Sequence, residues 1–249
     1  MDPISELFYA LRLRGEGFFD EAIAVYRRHL AQNPTDDVIR GHLADALFFK
    51  GDLVAAIEES RRVLDARPDD YLARAGLVTL FLTQGDLTLA LAESKELVRR
   101  HPADHGSHMR LGDTYRSLGD LRASIRCYEH AAGLPGAYYD IFTALGGLYE
   151  EAGRAEDAAI AYRKALTQAP KFVKALLGLG SALAAAGRPA EACEQWRKVV
   201  EIATSWIEPG KPRRPLERAL PGWSKTHPSP EGIIAQAREY LRRYGGEPL

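Results

Sequence analysis

The chain has 249 residues, 46% hydrophobic and 27% charged, enough to bury a substantial core. Its net charge of −1 supplies no overall drive toward nucleic acid or an anionic membrane, which disfavours a basic scaffold that tracks phosphates. No stretch approaches the length of a membrane span, and the opening MDPISELFYALRLRGEG has no uninterrupted apolar run or small-residue cleavage site, so cytoplasmic localisation is expected.

In chain order, the organising feature is a glycine that returns every 34 residues: Gly17, Gly51, Gly85, Gly119, Gly153 and Gly187. One such coincidence would carry no weight; six in strict register define a repeat array. Phased on these glycines, the units are 3–36, 37–70, 71–104, 105–138, 139–172 and 173–204, with no insertion or deletion. Each opens with a predicted helix, because apolar residues recur three and four apart without a proline, and then turns at the glycine. Asp52, Asp86 and Asp120 follow the glycine in units two to four, where a carboxylate caps the free N–H groups of a second helix. Pro34, Pro68, Pro102 and Pro170 close four units, and Pro135 closes the fourth one residue early. Lacking an N–H, proline sets the break.

Two further columns predict close helix packing. Ala22, Ala56, Ala90, Ser124, Ala158 and Ala192 keep the second helix thin where it approaches the first. Bulk at such a site costs roughly 1–3 kcal/mol. Large residues recur at Leu13, Leu47, Phe81, Tyr115, Tyr149 and Leu183 in first helices, and at Tyr26, Tyr128, Tyr162 and Trp196 in second helices. Ser60 and Ser94 interrupt the second series, so units two and three are either less fully packed or filled by Phe48, Phe49 and Phe81. Cys127 and Cys193 fall within predicted helices and read as small buried hydrophobes of a reducing compartment.

These columns resemble the tetratricopeptide repeat family, most clearly in LGDTYRSLGDLRASIRCYEHA (Leu111 to Ala131) and LGGLYEEAGRAEDAAIAYRKALTQAP (Leu145 to Pro170). The match spans about 200 residues and departs from the family in lacking the early Trp, in Ser60 and Ser94, and in the missing final proline. The resemblance implies an all-α, right-handed α-solenoid of antiparallel helix pairs whose first helices line a concave surface that binds a peptide or partner helix. It implies no cofactor. Stability would come from stacking neighbours.

Beyond the repeats, residues 205–230 hold six of the fourteen prolines and five basic residues against two acids, a basic, proline-rich connector expected to be partly extended. A final helix is expected over 231–244, with Ser229 as its cap, Pro230 in its first turn, and Ile233, Ile234, Ala237, Leu241 and Tyr244 on one face. Ile233, Ile234, Leu241 and Tyr244 are its docking residues. The helix caps its own array, fills the groove, or docks on another chain to make a homo-oligomer.

No enzymatic constellation is present: there is no Gly-rich strand-to-helix turn and no nucleophile elbow. Asp104 and the imidazoles His101, His105 and His108 form the densest polar cluster, but Pro102 breaks the helix between His101 and His105, so the cluster reads as an inter-repeat turn and not a metal site. By the family's geometry, the inward positions of the first three units include Leu7, Leu11, Val38, Asp45, Phe48, Phe49, Leu72, Thr79 and Leu82. The later units contribute Met109, Arg110, Asp113, Arg116 and, further on, Thr143 and Glu150. The first half is apolar and the second mixed, as expected of a groove for an amphipathic segment. The adjacent Phe48 and Phe49 cannot both face one core. Leu7, Leu11, Asp45, Leu72 and Gly76 stand where family members that hold chaperone tails place a carboxylate clamp, so that mode is not expected. The leading reading is a non-catalytic interaction scaffold or adaptor for a protein partner. Its alternatives are an accessory subunit that positions or controls an enzyme, with the tail docking or autoinhibitory, and a weak nucleic-acid binder through Lys211 to Lys225.

Overall fold

The computed structural model describes residues 3–206 and 229–245, and within them every regular element is a helix. Residues 207–228, most of the connector, lie outside the described residues. The chain divides into two compact units. The first contains α1 (Pro3–Gly15), α2 (Phe19–Gln32), α3 (Asp37–Lys50), α4 (Leu53–Ala66), α5 (Tyr71–Gln84), α6 (Leu87–Arg100) and α7 (His105–Ser117). The second contains α8 (Leu121–Gly133), α9 (Tyr139–Glu151), α10 (Ala155–Gln168), α11 (Val173–Ala185), α12 (Pro189–Ser205) and, after the connector, α13 (Pro230–Gly245).

Each helix pair turns at a glycine for a stereochemical reason. Gly51 ends α3 at φ 93°, a left-handed conformation in which a Cβ would crowd the backbone. Its N–H reaches the Phe48 carbonyl and that of Asp52 the Leu47 carbonyl, both at 2.9 Å, which satisfies the last orphan acceptors of the helix. The other glycines of the column also take positive φ. Asp52 and Asp86 then accept from the Ala55 and Leu89 N–H groups at 3.2 and 3.1 Å and start the second helices.

A column not anticipated from the sequence starts the first helices in the same way. Asp36, Asp70 and Asp104 accept from the Ile39, Ala73 and Ser107 N–H groups at 3.2, 2.9 and 2.7 Å. Four residues on, a second unforeseen column secures the turn between repeats. Arg40, Arg74 and the ring N–H of His108 donate to the carbonyls of Pro34, Pro68 and Pro102 at 2.5, 2.9 and 2.8 Å. Arg40 and Arg74 also pair with Glu59 and Glu93 on the following helix, at 2.8 and 2.5 Å. His108 thus takes an arginine's structural part. His101 packs edge-on against Tyr71 at 5.3 Å. Among the described residues, no group of three or more His, Cys, Asp or Glu side chains is placed to hold a metal ion.

The Asp104 cap carries a pH dependence. Burial works against the Asp104 charge, but the Ser107 N–H and hydroxyl and the Tyr71 hydroxyl hold its carboxyl below the ordinary value. A carboxyl depressed in the folded state stabilises the fold above the unfolded-state pKa, and that contribution is lost as pH falls through the folded value. Urea midpoints should therefore drop as pH falls below about 4, and Asp104→Asn, which keeps an acceptor at the cap, should flatten that limb. An unchanged limb in the variant would mean that the carboxylate charge contributes nothing there.

The small-residue column is buried as its role requires: Ala22, Ala56, Ala90, Ser124, Ala158 and Ala192 are fully covered. Around these positions the first unit assembles one apolar cluster in which Leu13, Tyr26, Leu47 and Phe81 are buried. In the second unit Tyr149, Tyr162, Leu183 and Trp196 are buried, whereas Tyr128 is joined by Ile125 and Ala131 on the covered face of α8. Cys193 is buried and Cys127 half-buried, and neither forms a disulfide. No described helix is long and apolar enough to cross a membrane.

Candidate functional site: an apolar groove in the first unit

Helices α1, α3, α5 and α7 supply most of the wall of a groove of about 550 Å³ in the first unit. Of the residues expected on the inward surface, Asp45, Phe48, Phe49, Leu72, Thr79 and Arg110 meet there. Leu7, Leu11, Val38, Leu82, Met109, Asp113 and Arg116 do not line it. Leu7 and Leu82 instead pack, half-buried, against the apolar cluster, and Val38 is exposed at the start of α3. In the second unit, Thr143 is buried and its hydroxyl donates to the Tyr139 carbonyl.

Phe48 and Phe49 separate as two adjacent helical residues must. Phe48 is half-buried against the apolar cluster, while Phe49 is 62% exposed and stacks on Phe19 with ring centroids 5.8 Å apart. Leu72, 79% exposed, stands at the start of α5. Around this apolar surface the Arg14 guanidinium pairs with Asp45 at 2.8 Å, and Arg110 donates to the Thr79 hydroxyl at 3.2 Å. Burial, with Arg14 beside it, holds the His42 imidazole below its ordinary pKa, so the ring that faces Tyr26 at 6.1 Å is neutral.

The groove owes its depth to small residues. Ala44, Ser60 and Gly76 lie along it, and their counterparts three repeats on are Gly146, Tyr162 and Gly178. There the Tyr162 ring fills the space between two helices so closely that a Cβ at Gly146 or Gly178 would lie 2.8 or 2.3 Å from it. The Tyr162 hydroxyl reaches Glu150 at 2.6 Å, and burial together with this bond raises the pKa of the phenol. In the first unit the ring is absent, and a Cβ added at Gly76 would meet no atom within 4 Å. The interruption at Ser60 was visible in the sequence, but Phe48 and Phe49 do not fill the space. Ser60 and Ala44 are themselves buried, at the floor of the groove; at Ser94 the matching positions are Val78 and Arg110, and there Ser94 and Val78 are fully covered and do not line it.

The final helix is placed within the second unit. Helix α13 packs on α12, burying Ile233, Ile234 and Ala237, with Leu241 half-buried. Tyr240 stacks on Trp196 with centroids 4.9 Å apart, and Tyr244 approaches the same indole at 5.5 Å. Tyr240, outside the face drawn from the sequence, makes the closer ring contact.

Helix-turn-helix repeats stacked around small-residue columns define the all-α solenoid class. Within it, the chain belongs to the tetratricopeptide repeat family: tetratricopeptide repeat models match residues 13–80, 109–172 and 174–203. Solved structures agree. The thermophilic TPR protein TTC0263 of Thermus thermophilus is 26% identical with a TM-score of 0.58, the match covering 73% of this chain and 98% of that one. MamA is 24% identical with a TM-score of 0.60, covering 71% and 96%. YrrB, described as a TPR protein with an unusual peptide-binding site, is 16% identical with a TM-score of 0.54, covering 71% and 91%. No curated protein shows significant sequence similarity to the chain.

Proposed function

We propose that the chain is an interaction scaffold whose first unit binds a peptide or helix of a partner protein in the groove between Phe49 and Leu72. The observation that carries this reading is the pair of large apolar side chains left in water beside an open apolar groove. Folding alone would favour covering them, since each buried Leu or Phe side chain stabilises by about 1.5–3 kcal/mol. The charged groups Arg14, Asp45 and Arg110 give the surface a direction, as a site for an amphipathic segment requires. The peptide-binding site described for YrrB, which shares the fold, is consistent with such a use.

A photo-crosslinking amino acid at Leu72 should give covalent adducts with a small set of proteins in cells. The same group at Arg62, exposed on α4 and outside the groove, should not give that set. Phe49→Ala should reduce the adducts at position 72 several-fold. Identical adducts from both positions, or none from position 72, would refute the groove as the binding surface.

A further inference from the structure

We infer that the space at Ala44, Ser60 and Gly76 is a recognition slot for one aromatic side chain of the partner, flanked in the partner by an acidic residue. The inference rests on the groove reading above and names what the groove selects. The grounds are internal to the chain. In the second unit the same three positions, 102 residues further on, hold a tyrosine ring between two glycines. Trp196 occupies the corresponding position of the last repeat, where a Cβ at Gly180 would lie 2.2 Å from its indole nitrogen. Tyr26 occupies it in the first repeat, fully buried and facing His42. The repeat geometry therefore shapes this space for a flat ring, and the second repeat supplies only the Ser60 side chain.

The chemistry of the surroundings matches such a guest. Phe19, Phe48 and Phe49 line the same groove and offer ring edges and faces, an arrangement in which aromatic pairs gain beyond the area they bury. Where Glu150 accepts the Tyr162 hydroxyl, the first unit has Phe48, so no carboxylate stands at that position to accept from a phenol, which favours a phenylalanine over a tyrosine. The polar part of the lining carries two guanidinium groups, Arg14 and Arg110, against one carboxylate, Asp45. That excess of positive charge favours an acid beside the aromatic residue.

The first arm of the test uses N-acetyl-phenylalanine amide and N-acetyl-leucine amide, titrated into the full chain while the methyl resonances of Ala44, Ala75 and Leu80 are followed. The aromatic amide should shift them saturably and bind at least about fivefold more tightly than the leucine amide. Ser60→Tyr, which restores the ring from within, should abolish these shifts. Gly76→Leu, entering from the facing helix, should do the same if the first variant folds poorly.

The second arm selects binders from a random-sequence peptide library on the wild-type chain. The selected peptides should share an aromatic residue next to Asp or Glu and should lose at least about tenfold in affinity for Ser60→Tyr. Peptides that lose binding to Leu72→Asp but lack the aromatic residue, and still bind Ser60→Tyr, would overturn the slot and leave the groove reading standing. Binding of the aromatic amide with no selectable peptide would overturn the groove reading, and the proposed partner with it. Equal shifts from the two amides would overturn the slot directly.

Discussion

Replacing Trp196 by alanine is expected to be among the most destabilising single changes in the second unit, by about 3–5 kcal/mol. Trp196 is fully buried, abuts Gly180 on α11, and carries the rings of Tyr240 and Tyr244 from α13. Truncation would leave a cavity that neighbouring side chains cannot fill without moving two helices. It would also remove the surface against which α13 is aligned. Because repeat stability is a sum of local and nearest-neighbour terms, the damage should stay near α11, α12 and α13. Urea unfolding gives the magnitude, and hydrogen exchange should show faster exchange across 230–245 while α3 to α5 keep their protection. A loss below about 1 kcal/mol, or unchanged exchange in α13, would mean that Ile233, Ile234 and Ala237 hold the helix without the aromatic stack.

Gly76→Ala and Gly178→Ala are the same substitution at the same repeat position, and they should change stability in opposite directions. A methyl at Gly76 meets open space, so the variant should gain about 0.5–1 kcal/mol from helix propensity and reduced unfolded-state freedom. A methyl at Gly178 would lie 2.3 Å from the Tyr162 ring, which is held from the other side by Gly146 and by its bond to Glu150. Forcing that ring aside should cost about 1–3 kcal/mol, outweighing the helix gain. Thermal midpoints of the two variants against the wild type decide the matter. If both variants are stabilised, Tyr162 yields easily and the contrast between a filled and an open slot is not energetic.

Much of the fold was legible in the sequence because its determinants are local and repeated. A positive-φ turn selects glycine, a helix start selects Asp, and a close helix approach selects Ala, whatever lies elsewhere in the chain. The cap column Asp36, Asp70 and Asp104 and the locking column Arg40, Arg74 and His108 were equally periodic. The cap column is the same residue type before a helix start as Asp52 and Asp86, so that signal could have found it. The locking column changes from Arg to His, and its shared partners are proline carbonyls, which leave no mark in a sequence. The His101, His105 and His108 cluster shows the converse. It looks like chemistry until the repeat column explains His108 as a turn lock.

The groove was only half legible. Phe49 and Leu72 were expected at its surface from their repeat positions, whereas Leu7, Leu11 and Leu82 occupy similar positions and lie outside it. Leu7 and Leu82 are instead half-covered by the apolar cluster of the first unit. By itself, then, the sequence determined the class of fold, the register of its helices and the residues at each turn, because these follow from backbone stereochemistry repeated every 34 residues. Only the tertiary structure decided that Ser60 lines a groove while Ser94 does not, and that α13 rests on Trp196. Both depend on how side chains distant in sequence share one volume.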